Sequence, residues 1–261
     1  MKLTQFYKDG KACLGIVTEQ GIVDVQLEAQ RRGIQAPATM LEAIKLADLS
    51  VLEALAENAQ CFAQGEKAPV VTGMDKILCI GLNYRQHAKE CNLPLPPAPV
   101  LFNKFSNALA ADGDSVYLDP AYKEYDYEAE LVAIIGKPAR NVTEEEALDY
   151  VFGYTCGNDL STRDLQFARS NQWLLSKTFD HFAPIGPCVV TADSINGRDL
   201  AISSVVNGEL RQNSRTSDMI FTTAQIIADL SRHFTLLPGD LIFTGTPQVL
   251  CTAIPRIRRT G

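Results

Sequence analysis

Glu128 and Glu130 stand two apart in Tyr125-Asp126-Tyr127-Glu128-Ala129-Glu130-Leu131-Val132-Ala133-Ile134-Ile135-Gly136. The run of apolar and β-branched residues, ended by Gly136-Lys137-Pro138, predicts a strand. Strand alternation then aims both carboxylates to one side. Neighbouring carboxylates repel one another unless protons or a cation lie between them. A third acid, Asp159, follows in Gly157-Asn158-Asp159-Leu160-Ser161-Thr162-Arg163-Asp164. Two glutamates on one strand face and one distant aspartate form an oxygen-only ligand set that suits Mg²⁺, Mn²⁺ or Ca²⁺. Alone, Glu-x-Glu is more often a solvated strand face. Three further segments weigh against that reading.

In Gly81-Leu82-Asn83-Tyr84-Arg85-Gln86-His87-Ala88-Lys89-Glu90, a short helix would put His87 and Glu90 on one face. A carboxylate beside an imidazole fixes its tautomer and raises its basicity, as suits a general base that activates water. Lys177, in the turn-rich Ser176-Lys177-Thr178-Phe179-Asp180-His181-Phe182, could hold a substrate carboxylate or enolate oxygen. Pro238-Gly239-Asp240-Leu241-Ile242-Phe243-Thr244-Gly245-Thr246-Pro247 reads as a turn, an apolar strand and an end whose hydroxyl and backbone N–H groups could take an anionic ligand. Each segment has a plain structural reading by itself: a surface pair, a solvated lysine, a strand end.

The elements that must position these groups fall into two regions. Residues 1–25 predict a β-meander with strands Leu3–Tyr7, Ala12–Thr18 and Ile22–Val25, and helices follow at about 26–32 and 39–60. The polar stretch Gln64-Gly65-Glu66-Lys67-Ala68-Pro69 leads to a division near residue 72, giving a small N-terminal α/β domain (1–72) and a larger domain (73–261). Strands dominate the second region, with short helices near 84–91, 143–150, 161–170 and 221–234. A proline-rich loop at 93–99 precedes a strand at 100–105.

The chain has 261 residues, 46% of them hydrophobic and 21% charged, as in an ordinary globular protein. A net charge of −7 with scattered acids argues against a nucleic-acid or anionic-membrane surface. Seven cysteines without a Cys-x-x-Cys pair indicate neither a disulfide framework nor a zinc site of that type. With no apolar leader or spanning-length run, the expectation is a cytoplasmic protein with core cysteines.

Taken in order, Asn83-Tyr84…His87…Glu90, Glu128-x-Glu130, Asn158-Asp159…Arg163-Asp164…Gln166, Lys177-x-Phe179 and Gly245-Thr246-Pro247 resemble the fumarylacetoacetate hydrolase family over roughly 75–247. The likeness is to the branch with acylpyruvate hydrolases, oxaloacetate decarboxylases and hydroxyhepta-dienedioate isomerases. It implies an α+β fold with a mixed β-roll catalytic domain, assembled as a homodimer. It also implies that Glu128, Glu130 and Asp159 hold Mg²⁺ or Mn²⁺, that His87 and Glu90 form a dyad on a mobile lid, and that Lys177 lies near the metal. Lys104, Arg163, Gln166 and Thr246 match positions that line the substrate site, while His181 and His233 match no family motif and are read as structural. The tail from Gln248 to Gly261 lacks the turns and alternation of the final strand pair usual in the family.

The chemistry expected from the resemblance is cleavage of a C–C bond next to a 2-keto acid. The metal would act as electron sink for a pyruvate enolate, and His87 with Glu90 would activate water, as in an acylpyruvate hydrolase. Three alternatives stand beside this reading: oxaloacetate decarboxylation, keto–enol tautomerisation or isomerisation, and an inactive metal-binding structural protein. In the catalytic cases the partner is a small 2-keto or dicarbonyl acid.

Overall fold

The computed structural model of the protein describes residues 1–46, 48–166, 168 and 172–248. The strand Ala129–Ile135 lies inside the main sheet, between Val151–Asn158 on one side and Leu241–Phe243 on the other. Its neighbours explain its composition. Val132 and Ile134 pack into one core, together with Leu241, Phe243, Ile77, Cys79 and the N-terminal helices. Leu131, Ala133 and Ile135 pack into a second core, with Ile242, Leu78, Ile80 and the helix Thr223–His233. A strand covered on both faces reads as a continuous apolar run rather than as an alternation.

From one edge, the sheet runs Gly21–Asp24, Lys11–Thr18, Lys2–Lys8, Ala183–Thr191 and Val151–Asn158. It continues through Ala129–Ile135, Leu241–Phe243 and Ile77–Gly81 to Val100–Lys104 at the other edge. Leu241–Phe243 and Ile77–Gly81 run parallel, so the segments that leave their C-terminal ends, around Asn83 and Gly245, emerge side by side. The three N-terminal strands join the sheet by pairing Lys2 with Val190 and Leu3 with Val189. This is the mixed α+β architecture expected from the sequence.

Local chemistry accounts for the helices and for where the expectations differ. Thr222 and Gln225 form a reciprocal capping box, and Thr223–His233 buries Ala224, Ile226, Ile227 and Leu230. Each of its larger apolar side chains contributes about 1.5–3 kcal/mol by burial. The helix expected over 39–60 is broken into Met40–Ile44 and Ser50–Ala56, because Asp48 accepts bonds from the Ser50 N–H (2.9 Å) and hydroxyl (2.6 Å) and restarts the chain. At 143–150 only a short 3₁₀ turn forms, Ala147–Tyr150, since three successive glutamates provide no apolar stripe. The helix expected over 161–170 becomes a strand pair at Ser161–Thr162 and a single turn, Arg163–Gln166. The atypical tail falls at 249–261, outside the described residues.

Candidate active site

Glu130 is the third carboxylate of a cluster with Glu128 and Asp159, and one oxygen from each lies within 4.8 Å of the others. All three are buried, with 8%, 3% and 0% of Glu128, Glu130 and Asp159 exposed. The strand predicted to carry both glutamates is interrupted. Tyr125–Asp126 pairs with Ser161–Thr162, Ala129–Ile135 belongs to the main sheet, and Glu128 lies between the two strands. Its backbone is fixed nonetheless, since its N–H donates to Asn158 Oδ1 (2.9 Å) and its carbonyl accepts the Asp159 N–H (2.9 Å). This reciprocal link draws Asp159 to the glutamates across a separation of about thirty residues.

Cations alternate with these acids. Arg163 pairs with Asp126 (2.7 Å) and with Glu128 Oε1. Lys177, at the end of the helix Leu174–Lys177, donates to Glu128 Oε2 (2.6 Å) and Asp159 Oδ2 (2.9 Å). Lys104 Nζ lies 2.6 Å from Asp159 Oδ1. Its protons are aimed elsewhere, at the carbonyls of Leu160 (3.0 Å), Phe182 (2.9 Å) and Lys177. Asp159 Oδ1 is thus a buried oxygen beside a cation but without a hydrogen bond. Among the described residues the centre holds four carboxylates (Asp126, Glu128, Glu130 and Asp159) against three cations (Arg163, Lys177 and Lys104). The excess falls on Glu130, whose Oε2 accepts the Gly245 N–H at 2.7 Å.

The acidities follow from these neighbours. Burial and the charges of Asp159 and Glu128 push the Glu130 carboxyl well above the usual glutamate range. Burial acts the same way on Glu128, but Lys177 and Arg163 outweigh it and hold that carboxyl below the usual range. Burial opposes the charge of Lys177, yet Asp159 and Glu128 raise its pKa, so it is an ammonium here. One glutamate with a raised pKa, one unbonded buried oxygen and three converging carboxylates form an oxygen donor set that suits a hard divalent cation. Mg²⁺ or Mn²⁺ fits these residues.

The other expected site residues are placed as follows. His87 and Glu90 lie on the helix Arg85–Glu90 with Nδ1 3.2 Å from Oε2, and both side chains are partly exposed. Gln166 accepts a bond from Arg163 (2.7 Å). The Thr246 hydroxyl donates to Ala129 O (3.0 Å) and accepts from Gln212 (2.8 Å). Lys104, Arg163 and Lys177 therefore converge on the carboxylates, Gln166 meets Arg163, and Thr246 bonds the backbone of Ala129 between the two glutamates.

Three contributors have no assigned role in the sequence reading. Asp126 was legible, since the alternation that places Glu128 and Glu130 together also brings Asp126 to their side. Gln212, fully buried on the hairpin strand Glu209–Arg215, accepts the Ala129 N–H (3.0 Å) and donates to Thr246 and Pro247 O (2.9 Å). No local pattern marks it. Asn83 is in the family motif without an assigned role, and it donates to Thr244 O (2.7 Å) and Phe221 O (2.9 Å).

The sequence model for the C-terminal domain of fumarylacetoacetate (FAA) hydrolase matches residues 76–259. The chain belongs to the fumarylacetoacetate hydrolase family. Its relatives include the fumarylacetoacetate hydrolase domain-containing protein 2 homolog of Dictyostelium discoideum, 48% identical over 192 residues. That match covers 70% of this chain and 62% of the Dictyostelium protein, so the chain spans less than two thirds of that relative. A mitochondrial oxaloacetate tautomerase of Xenopus laevis is 38% identical over 257 residues, covering 95% of this chain and 80% of its own. Among solved structures, the maleylpyruvate hydrolase of Sphingobium sp. SYK-6, in complex with manganese(II) ion and pyruvate, superposes with a TM-score of 0.78 at 31% identity. That alignment covers 95% of this chain and 89% of the hydrolase. The family thus joins tautomerases and hydrolases, and the tautomerase name favours the isomerising alternative over the acylpyruvate hydrolase expected first.

Proposed function

We propose that the protein is a divalent-metal-dependent tautomerase of a 2-oxo dicarboxylic acid of the oxaloacetate type. The observation that carries this reading is the acid centre with one carboxylate in excess, in a chain similar over 95% of its length to an oxaloacetate tautomerase. Glu128, Glu130 and Asp159 would hold Mg²⁺ or Mn²⁺, which when bound supplies Lewis acidity to the 2-oxo group of the substrate.

The residues of the chain do the rest. Lys177 and Arg163 supply fixed positive charge where an oxygen gains charge as its proton leaves. The enol-to-keto step removes a proton from the oxygen on C2 and delivers one to C3, with no bond between heavy atoms broken. His87, whose Nδ1 faces Glu90, would move that proton. Arg163, Lys104, Gln166 and Thr246 shape the site: the first two through the ligand carboxylates, Gln166 through Arg163 and Thr246 through Ala129.

Water activation by the same His87–Glu90 pair supports a second reading, hydrolysis of an acylpyruvate, as the name of the Sphingobium structure illustrates for that protein. An inactive structural protein is the weakest alternative, because the structure brings the acids and cations together. The six cysteines among the described residues are free, in keeping with a reducing compartment, and the Xenopus relative is named mitochondrial. Homodimerisation is part of the proposal, and light scattering on purified protein tests it.

The deciding experiment mixes protein and Mg²⁺ with enol oxaloacetate and, separately, an acylpyruvate, following enol absorbance alongside released CO₂ and carboxylic acid. Faster loss of enol without CO₂ or fragments is the expected result. Fragments appearing in step with the absorbance change would replace the tautomerase by a hydrolase or decarboxylase.

A further inference from the structure

His87, Glu90 and Cys91 occupy positions i, i+3 and i+4 at the helix Arg85–Glu90 and its C-terminal cap, so their side chains rise on one face. His87 Nδ1 lies 3.2 Å from Glu90 Oε2, and Cys91 Sγ lies 3.9 Å from each ring nitrogen of His87. One donor atom from each of the three lies within 4.8 Å of the others. Zinc bonds of about 2.0–2.1 Å to nitrogen, 2.0–2.2 Å to oxygen and 2.3 Å to sulfur imply tetrahedral ligand–ligand edges of roughly 3.3–3.6 Å. The observed spacings of 3.2 and 3.9 Å bracket those edges. The side chains of His87 and Glu90 are 19% and 30% exposed, and Cys91 is exposed, so an ion can enter and a water can take the fourth position.

We propose that His87, Glu90 and Cys91 form a second metal site, selective for a borderline divalent ion such as zinc. The ligand types separate it from the acid centre. Imidazole and thiolate favour Zn²⁺ over Mg²⁺ or Mn²⁺, whereas the all-oxygen cluster of Glu128, Glu130 and Asp159 favours the harder ions. The ion would take the ring nitrogen that faces Glu90 and leave the other nitrogen protonated, so a zinc-loaded His87 could not accept a proton. This inhibitory consequence rests on the role of His87 proposed above; the site itself does not.

Cobalt(II) reports on such a site, since a thiolate ligand gives it a near-ultraviolet charge-transfer band that an all-oxygen site cannot produce. The test titrates Co²⁺ into the full chain saturated with Mg²⁺. The expected result is a sulfur-to-cobalt band that saturates at one equivalent and is bleached by Zn²⁺. Cys91→Ser removes the band, His87→Ala weakens Co²⁺ binding by roughly 10–100-fold or more, and Asp159→Asn leaves the band in place. No band in the wild type at one equivalent, or an undiminished band in Cys91→Ser, overturns the site. Micromolar Zn²⁺ should inhibit the Mg²⁺ enzyme but not Cys91→Ser. If His87→Ala keeps full turnover while the cobalt band is present in the wild type, the catalytic role of His87 fails and the metal site stands.

Discussion

Lys177 Nζ lies 2.6 Å from Glu128 Oε2, so a protein cation occupies one side of the carboxylate cluster that is to hold a metal. The same ammonium bonds Asp159 at 2.9 Å, so it bridges two of the three ligands.

Lys177 and the metal therefore compete for charge. Lys177→Met should tighten Mg²⁺ binding at least about tenfold, because a unit charge about 4 Å away is worth a few kcal/mol at an effective dielectric of about 20. It should also lower turnover by about 10²–10³-fold through loss of charge stabilisation. Isothermal titration beside steady-state rates measures both, and weaker Mg²⁺ binding in the variant would show that Lys177 organises the ligands instead.

Glu130 makes the metal-free protein sensitive to rising pH. Its folded pKa is raised by burial and by Asp159 and Glu128. Above the usual glutamate range the unfolded chain gives up this proton while the folded site keeps it, so stability falls until the pH passes the folded pKa. In EDTA, the melting temperature of the wild type should decline through this window relative to Glu130→Gln, and saturating Mg²⁺ should abolish the difference. Glu128, held low by Lys177 and Arg163, acts at the other end: its contribution is present above the usual glutamate range and is lost as pH falls below it. Parallel melting curves for wild type and Glu130→Gln in EDTA would count against an excess carboxylate.

Lys104 should matter to folding more than to substrate. Its Nζ is wholly engaged by three carbonyls and lies against Asp159, and 2% of the residue is exposed. Lys104→Met leaves Asp159 short of one of its two cations and should cost about 3–5 kcal/mol in denaturant unfolding. A stability loss below about 1 kcal/mol with a raised KM would instead make Lys104 a substrate contact.

Gln212 should act on metal affinity without touching the metal. Its amide fastens Ala129, the residue between Glu128 and Glu130, to Thr246 and Pro247. Gln212→Leu strands buried polar groups at about 1–3 kcal/mol each. Mg²⁺ affinity should fall together with stability. Unchanged affinity in a destabilised variant would confine Gln212 to structural support.

The sequence disclosed the parts of this site that local rules govern. Alternation linked Glu128 to Glu130, and helical spacing linked His87 to Glu90. Each rule needs only neighbouring residues, and both pairs converge in the structure. The apolar strand Leu241–Phe243 and the capped helix Thr223–His233 were legible for the same reason. What escaped depends on tertiary position. The break at Glu128 follows from the switch of pairing between Ser161–Thr162 and Val151–Asn158, which no period records. The use of Lys104 to bond carbonyls follows from its burial among Leu160, Lys177 and Phe182. The order of Asp126, Arg163, Glu128, Lys177, Asp159 and Lys104 as alternating charges spans residues 104–177 and exists only in the folded chain.

Asn83 has a mechanical consequence for the helix that follows it. Its fully buried side chain fastens Thr244 and Phe221, Tyr84 beside it is fully buried, and Arg85 holds the carbonyls of Asp218 (3.2 Å) and Met219. At the other end, Leu93 and Leu95 are more than half exposed. The helix is therefore anchored through its first residues. Any opening is a swing about the Asn83–Tyr84 jamb, with Cys91 travelling farther than His87 and the proline-rich loop farther still. A contact at the far end would then govern how far such a swing can go.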